Sequence, residues 1–90
     1  NLIDLLAVVK EIRANSDKSI WIFSGFKFEM LSSIPLAREL LSYCDVLVDG
    51  LFVEELKDLR LKFRGSSNQR IIDIKKSLEE NQAIWVEEYR

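Results

Sequence analysis

Ninety residues with 13 basic and 15 acidic side chains, a formal charge of −2 and 48% apolar content describe one small globular segment. That balance argues against a nucleic-acid-binding face, and no apolar run approaches the roughly 20 residues of a membrane span. One cysteine and no histidine exclude an internal disulfide, a zinc or iron–sulfur site built from this chain alone, and a Ser–His or Cys–His nucleophile pair; a lone thiol suits a reducing cytoplasm.

Leu2, Leu5, Leu6, Val9 and Ile12 recur at helical spacing and predict a first helix with one apolar stripe. The pattern begins at once, so further sequence is expected upstream of Asn1. Asn15-Ser16-Asp17-Lys18 is a turn cluster. Ile20-Trp21-Ile22-Phe23 then reads as a strand covered on both faces, ended by Ser24-Gly25. Phe28 to Leu31 predicts a short helix, and Ser32-Ser33 before Pro35 predicts a cap and a new helix with Leu36, Ala37, Leu40 and Leu41 buried.

Asp45 to Asp49 is the second predicted strand, closed by Gly50. Phe52 to Lys57 suggests a helical turn, while Leu59 to Phe63 alternates like an edge strand. Gln69 to Ile72 reads as a third buried strand, and Asp73 as the cap of a helix through Glu80. Ala83 to Val86 suits a last strand or an extended tail. Alternating helices and apolar strands imply an α/β fold of βα units with three parallel strands, whose ligands sit at the strands' carboxyl ends.

That rule singles out Ser24 and Asp49. Asp49 ends a buried strand and suits either a ligand contact or a helix cap; Ser24 suits a ligand contact or an ordinary turn. The run Phe63-Arg64-Gly65-Ser66-Ser67-Asn68-Gln69-Arg70 brings polar groups back before the third strand, where a core needs none. Asn68 can bond a base or carboxylate and Arg70 can fork onto a carboxylate or phosphate, or both can anchor the loop. Arg64 reads as a surface ion-pair residue. Glu54 and Glu55 are adjacent, diverge on helix or strand, and read as solvated. Trp21, Trp85 and Cys44 read as packing residues.

Three stretches resemble the anaerobic ribonucleoside-triphosphate reductase activating proteins, small radical S-adenosylmethionine (SAM) enzymes. Ile20-Trp21-Ile22-Phe23-Ser24-Gly25-Phe26 is similar to that family's strand ending in a Thr-Gly-Tyr-like turn. Asp45 to Glu55 is similar to its Asp-Val-Leu-Val-Asp-Gly-Pro-Phe stretch, with Leu51 in place of Pro, and Phe63 to Asp73 matches without a change.

The resemblance implies that residues 1–90 are one segment, the C-terminal half of a partial (βα)6 radical SAM barrel. The family's C-x₃-C-x₂-C cluster motif and the glycine-rich strand after it are absent from these residues. It further implies SAM and a [4Fe–4S] cluster as cofactors, the cluster ligands lying outside this chain and the segment alone being inactive. The implied activity is SAM cleavage that leaves a glycyl radical on the reductase large subunit. Ser24, Asp49, Asn68 and Arg70 are the implied SAM-contacting residues, with no metal ligand and no catalytic residue in the segment. The expected partner is that large subunit, with a homodimer possible and neither nucleic acid nor membrane expected. Two other readings stand beside this one. One is a non-catalytic docking module that binds the reductase or self-associates. The other is a receiver-like nucleotide-binding domain, which lacks the acidic pair such domains need.

Overall fold

A computed structural model describes residues 1–90. Its sheet has three strands, β1 (Trp21–Phe23), β2 (Val46–Asp49) and β3 (Arg70–Asp73), in the order β1-β2-β3. Four helices accompany it: α1 (Leu2–Asn15), α2 (Phe28–Leu31), α3 (Pro35–Ser42) and α4 (Ile74–Glu80).

Local chemistry explains the ends. The Asn1 side chain accepts the Asp4 N–H at 3.1 Å and starts α1. Asp73 accepts the Lys76 N–H at 3.0 Å and starts α4, as expected. The expected serine cap of α3 is corrected: Ile34 occupies that position with no side-chain bond, and Pro35 supplies the start through its fixed φ. Ser33 instead donates to the Met30 carbonyl at 2.6 Å and helps close α2.

Strand register sets two unlike faces. Ile22, Leu47 and Ile72 lie abreast and meet the helices, where Leu6, Val9, Phe28, Leu40, Leu41, Cys44 and Ile74 complete the core. Successive strand residues alternate sides, so Trp21 and Phe23 take the opposite, helix-free face. Phe23 is 63% exposed there, which corrects the expectation that this strand is covered on both faces. Arg13 ties the amino ends together: it donates to Asp45 at 2.6 Å and to the Tyr43 carbonyl. Asp45 in turn accepts the Ile20 N–H at 2.7 Å.

Two further expectations are corrected. The strands are not all parallel: β1 and β2 are, but β3 runs antiparallel to β2. A parallel return needs a long crossover, generally helical, whereas residues 50–69 hold only a single 3₁₀ turn, Glu54–Leu56. The segment from Leu59 to Phe63 is not an edge strand. It is a turn whose Leu59 is 89% exposed, because Asp58 draws the chain round by accepting the Arg60 N–H and side chain, each at 2.9 Å. Alternation there reflects no buried face. The segment from Ala83 to Val86 makes one antiparallel bridge, Trp85 to Ile72, on the outer edge of β3.

Candidate functional site at the carboxyl end of the sheet

Reversal of β3 brings its first residue to the carboxyl ends of β1 and β2. Asp49 and Arg70 are register partners, and Ser24 follows β1 by bonding its N–H to the Val48 carbonyl at 2.9 Å. Ser24, Asp49, Asn68 and Arg70 therefore share one end of the sheet; the first two follow from the parallel β1–β2 pair, and the reversal of β3 brings the other two.

Asp49 is wholly buried. One oxygen accepts the Phe28 N–H at 2.7 Å and Arg70 Nη2 at 2.6 Å; the other accepts Arg70 Nε at 3.0 Å. The carboxylate thus satisfies the first free amide of α2 and forks onto a guanidinium, the geometry that most stabilises a buried acid. Arg70 reaches outward as well, to Glu29 at 2.7 and 3.3 Å. Hydrogen bonds to Asp49, then to Glu29, push the guanidinium pKa upward. The same Arg70 bond holds the exposed Glu29 carboxyl below its ordinary range. No sequence pattern pairs residues 41 positions apart, so Glu29 was not anticipated.

The polar loop is organised around Gln69. Its side-chain oxygen accepts the N–H groups of Gly65 and Ser66 at 2.8 and 3.1 Å, and its amide donates to the Gly50 carbonyl at 3.0 Å. Asn68 donates to the Leu51 carbonyl at 2.8 Å. Ser66, also wholly buried, accepts the Val53 N–H at 3.2 Å. Arg64 is no surface ion-pair residue: it donates to the Ser67 and Gln69 carbonyls at 3.0 and 2.7 Å and lies over the Trp85 ring at 5.0 Å. Gly50 takes φ +95°, a conformation that a side chain strains.

Beside this network lies a cleft of about 270 Å³, bordered by Phe23, Ser24, Gly25, Leu51, Phe52 and Gln69 among others. Ser24 Oγ accepts the Phe26 N–H at 2.9 Å, its hydroxyl hydrogen being unspent within the chain. Asn68 Oδ1 and one Nη1–H of Arg70 are likewise uncommitted. The cleft is smaller than the roughly 300–1,000 Å³ of typical small-molecule sites, so it suits part of a ligand. Glu54 and Glu55 are exposed and lie on the 3₁₀ turn, with no paired-carboxylate geometry.

The sequence profile of a 4Fe-4S single cluster domain family matches residues 1–72. The chain belongs to that family. It is similar to proteins named anaerobic ribonucleoside-triphosphate reductase-activating protein. The Escherichia coli K12 protein is 43% identical over 70 residues, 77% of this chain and 44% of that relative. The Pasteurella multocida protein is 40% identical over 72 residues, covering 79% and 46%. The protein of phage T4 is 40% identical over 55 residues, covering 61% and 32%. The chain thus spans a little under half the length of the bacterial relatives. No solved structure matches it significantly. No helix is long and apolar enough to cross a membrane.

A cluster does not fit the residues present. Cys44, the one thiol, is buried, donates to the Leu40 carbonyl at 3.5 Å and is pushed above its ordinary pKa by burial. No three His, Cys, Asp or Glu side chains converge on a common point.

Proposed function

We propose that this chain is the C-terminal part of a radical SAM activating enzyme that makes a glycyl radical on the large subunit of an anaerobic ribonucleoside-triphosphate reductase. The observation that carries the reading is the joining of the Phe63–Asp73 stretch to Asp49. The unchanged motif delivers Arg70 and Asn68 to the same strand end as Ser24 and Asp49. Cluster ligands lie outside these residues.

SAM, when bound, supplies a sulfonium and an adenosyl group. The chain's own residues supply one rim for it. Ser24 donates its hydroxyl hydrogen, Arg70 its uncommitted Nη1–H, and Asn68 offers Oδ1 as acceptor, which suits ribose hydroxyls and a carboxylate. Asp49 has both oxygens engaged and acts by fixing Arg70 and the start of α2. The small cleft receives only part of the molecule, and the remaining contacts come from elsewhere in a longer polypeptide.

The outer edge of β1 supports a larger sheet. β1 pairs on one side only. An apolar groove of about 410 Å³ runs beside it, lined by Leu5, Ile22, Phe26, Met30 and Ile34 among others. We assign this face to the cluster-bearing part of the same polypeptide, adding strands to β1 as a partial barrel requires. Such an enzyme works in the cytoplasm. The same edge also favours the second reading, a non-catalytic module that docks on the reductase or pairs with its own copy.

Calorimetric titration of SAM into the full-length protein tests the assignment. Arg70→Lys, which loses the planar fork, weakens binding by about tenfold, and Ser24→Ala, Asp49→Ala and Asn68→Ala weaken it too. Unchanged affinity in all four folded variants overturns the SAM-rim reading. Iron-free material that captures the reductase or dimerises, with no SAM affinity, favours the docking module.

A further inference from the structure

Residues 84–90 cross the sheet. They begin on the outer edge of β3, where Asp73 N–H bonds to the Ile84 carbonyl at 2.8 Å and Val86 N–H to the Ile71 carbonyl at 2.9 Å. They end against β1, two strands away, where the Tyr89 ring lies 5.9 Å from Trp21. Trp21 is on the helix-free face, so the tail passes over that face.

The 57–66 loop reaches the same place from the other end of the sheet. Its base closes through the Lys57–Ser66 bridge and the Asp58 N–H to Gly65 carbonyl bond at 3.2 Å. Its far side delivers Phe63, whose ring lies 4.9 Å from Trp21 and 5.1 Å from Tyr89. The three rings contact one another in tilted or edge-on pairs, the favoured aromatic geometry. A second clasp sits one residue on, where Arg64 lies over Trp85.

Phe63 holds φ +64°. A bulky non-glycine residue persists in that conformation only where its surroundings over-determine it. Its surroundings are Trp21 and the tail's Tyr89. Behind Phe63 stand Arg64, Gly65 and Ser66, whose bonds to Gln69 order the candidate site.

We propose that residues 84–90 are a strap that clamps the 57–66 loop across the helix-free face through Tyr89–Phe63 and Trp85–Arg64, and so sets the order of the Gly65–Gln69 network at the opposite end of the sheet. Tension on the tail, as from a partner that engages it, releases the loop and loosens the Gln69 hub without unfolding β2. The inference stands on this geometry whether or not SAM is the ligand.

Hydrogen exchange on the intact chain tests it. Tyr89→Ala removes two ring contacts, and exchange at the amides of Asp58, Gly65, Ser66 and Ser67 rises about tenfold while Leu47 and Val48 are unchanged. Tryptic cleavage after Arg60 and Lys62 accelerates in parallel. Unchanged exchange in the loop overturns the strap. So does an equal rise at Leu47 and Val48, which marks general destabilisation. Should Tyr89→Ala fail to fold, Trp85→Leu serves as the second variant: it removes the tail's ring from Arg64, leaves the Arg64 bonds to the Ser67 and Gln69 carbonyls, and gives the same loop-confined rise, whose absence overturns the proposal.

Discussion

Asp49→Asn is the sharpest probe of the site. The substitution preserves shape and replaces one carboxylate oxygen by an amide that donates. Both oxygens of Asp49 face donors, the Phe28 N–H and the Arg70 guanidinium, so either rotamer sets two donors against each other. Breaking a buried pair by altering one partner costs about 3–5 kcal/mol when the other charge is stranded. Arg70 is not stranded: its side chain is 24% exposed and keeps Glu29. We therefore expect a loss of about 2–3 kcal/mol. For a domain of this size that lowers the thermal midpoint by about 10–20 °C. Urea unfolding reads the loss directly, as a fall in the denaturation midpoint at constant slope. A double-mutant cycle with Arg70→Gln isolates the pair, and the two changes together cost at least about 1 kcal/mol less than their sum. A loss under about 1 kcal/mol, or strict additivity, refutes the reasoning that this pair is a coupled buried anchor.

Gly50→Ala, at φ +95°, costs about 1–3 kcal/mol in backbone strain. Gly65→Ala meets the Phe52 ring at 2.9 Å, but that half-exposed ring can swing aside and the cost stays under about 1 kcal/mol; thermal melts that reverse this order contradict the account. Glu29 has its carboxyl pKa depressed below the ordinary 4.5, chiefly by the Arg70 hydrogen bond. Its stabilising effect is therefore complete above pH 4.5 and is lost as pH falls through the depressed value, which a carboxyl NMR titration checks, a midpoint at or above 4.5 counting against it. Asp58 titrates near 2 because Arg60 binds it in a fork, and Arg60→Ala returns it to the ordinary range. Cys44, buried with its thiol pushed up, reacts with an alkylating reagent only on unfolding, and fast alkylation of the folded chain opposes its placement in the core.

Most elements were legible because they rest on local signals. The apolar spacing from Leu2 to Ile12 marks α1, although only Leu6 and Val9 are fully buried and Leu5 and Ile12 are exposed. Asp73 and Pro35 announce helix starts by their own chemistry. Strand direction was not legible, because an apolar run looks the same whichever way its neighbour runs; only the absence of a long helix between Gly50 and Gln69 betrays the reversal. At the site, the strand-end rule pointed to Ser24 and Asp49, whereas Asn68 and Arg70, singled out from the polar loop, join them only because β3 runs antiparallel to β2. It could not supply Glu29, which meets Arg70 only in three dimensions. Nor could it distinguish Gln69, the hub of the loop, from its polar neighbours. Arg64 illustrates the same limit, since its partners are backbone carbonyls and a ring, none of which a sequence motif records.

The most direct test of the central claim is the intact mass of the natural product, with the sequence of roughly 60–70 residues preceding Asn1 that a first half of ordinary domain size requires. Three cysteines at C-x₃-C-x₂-C spacing are expected there. A natural product that begins at Asn1 and holds no iron contradicts that claim and leaves the docking module as the function of this fold.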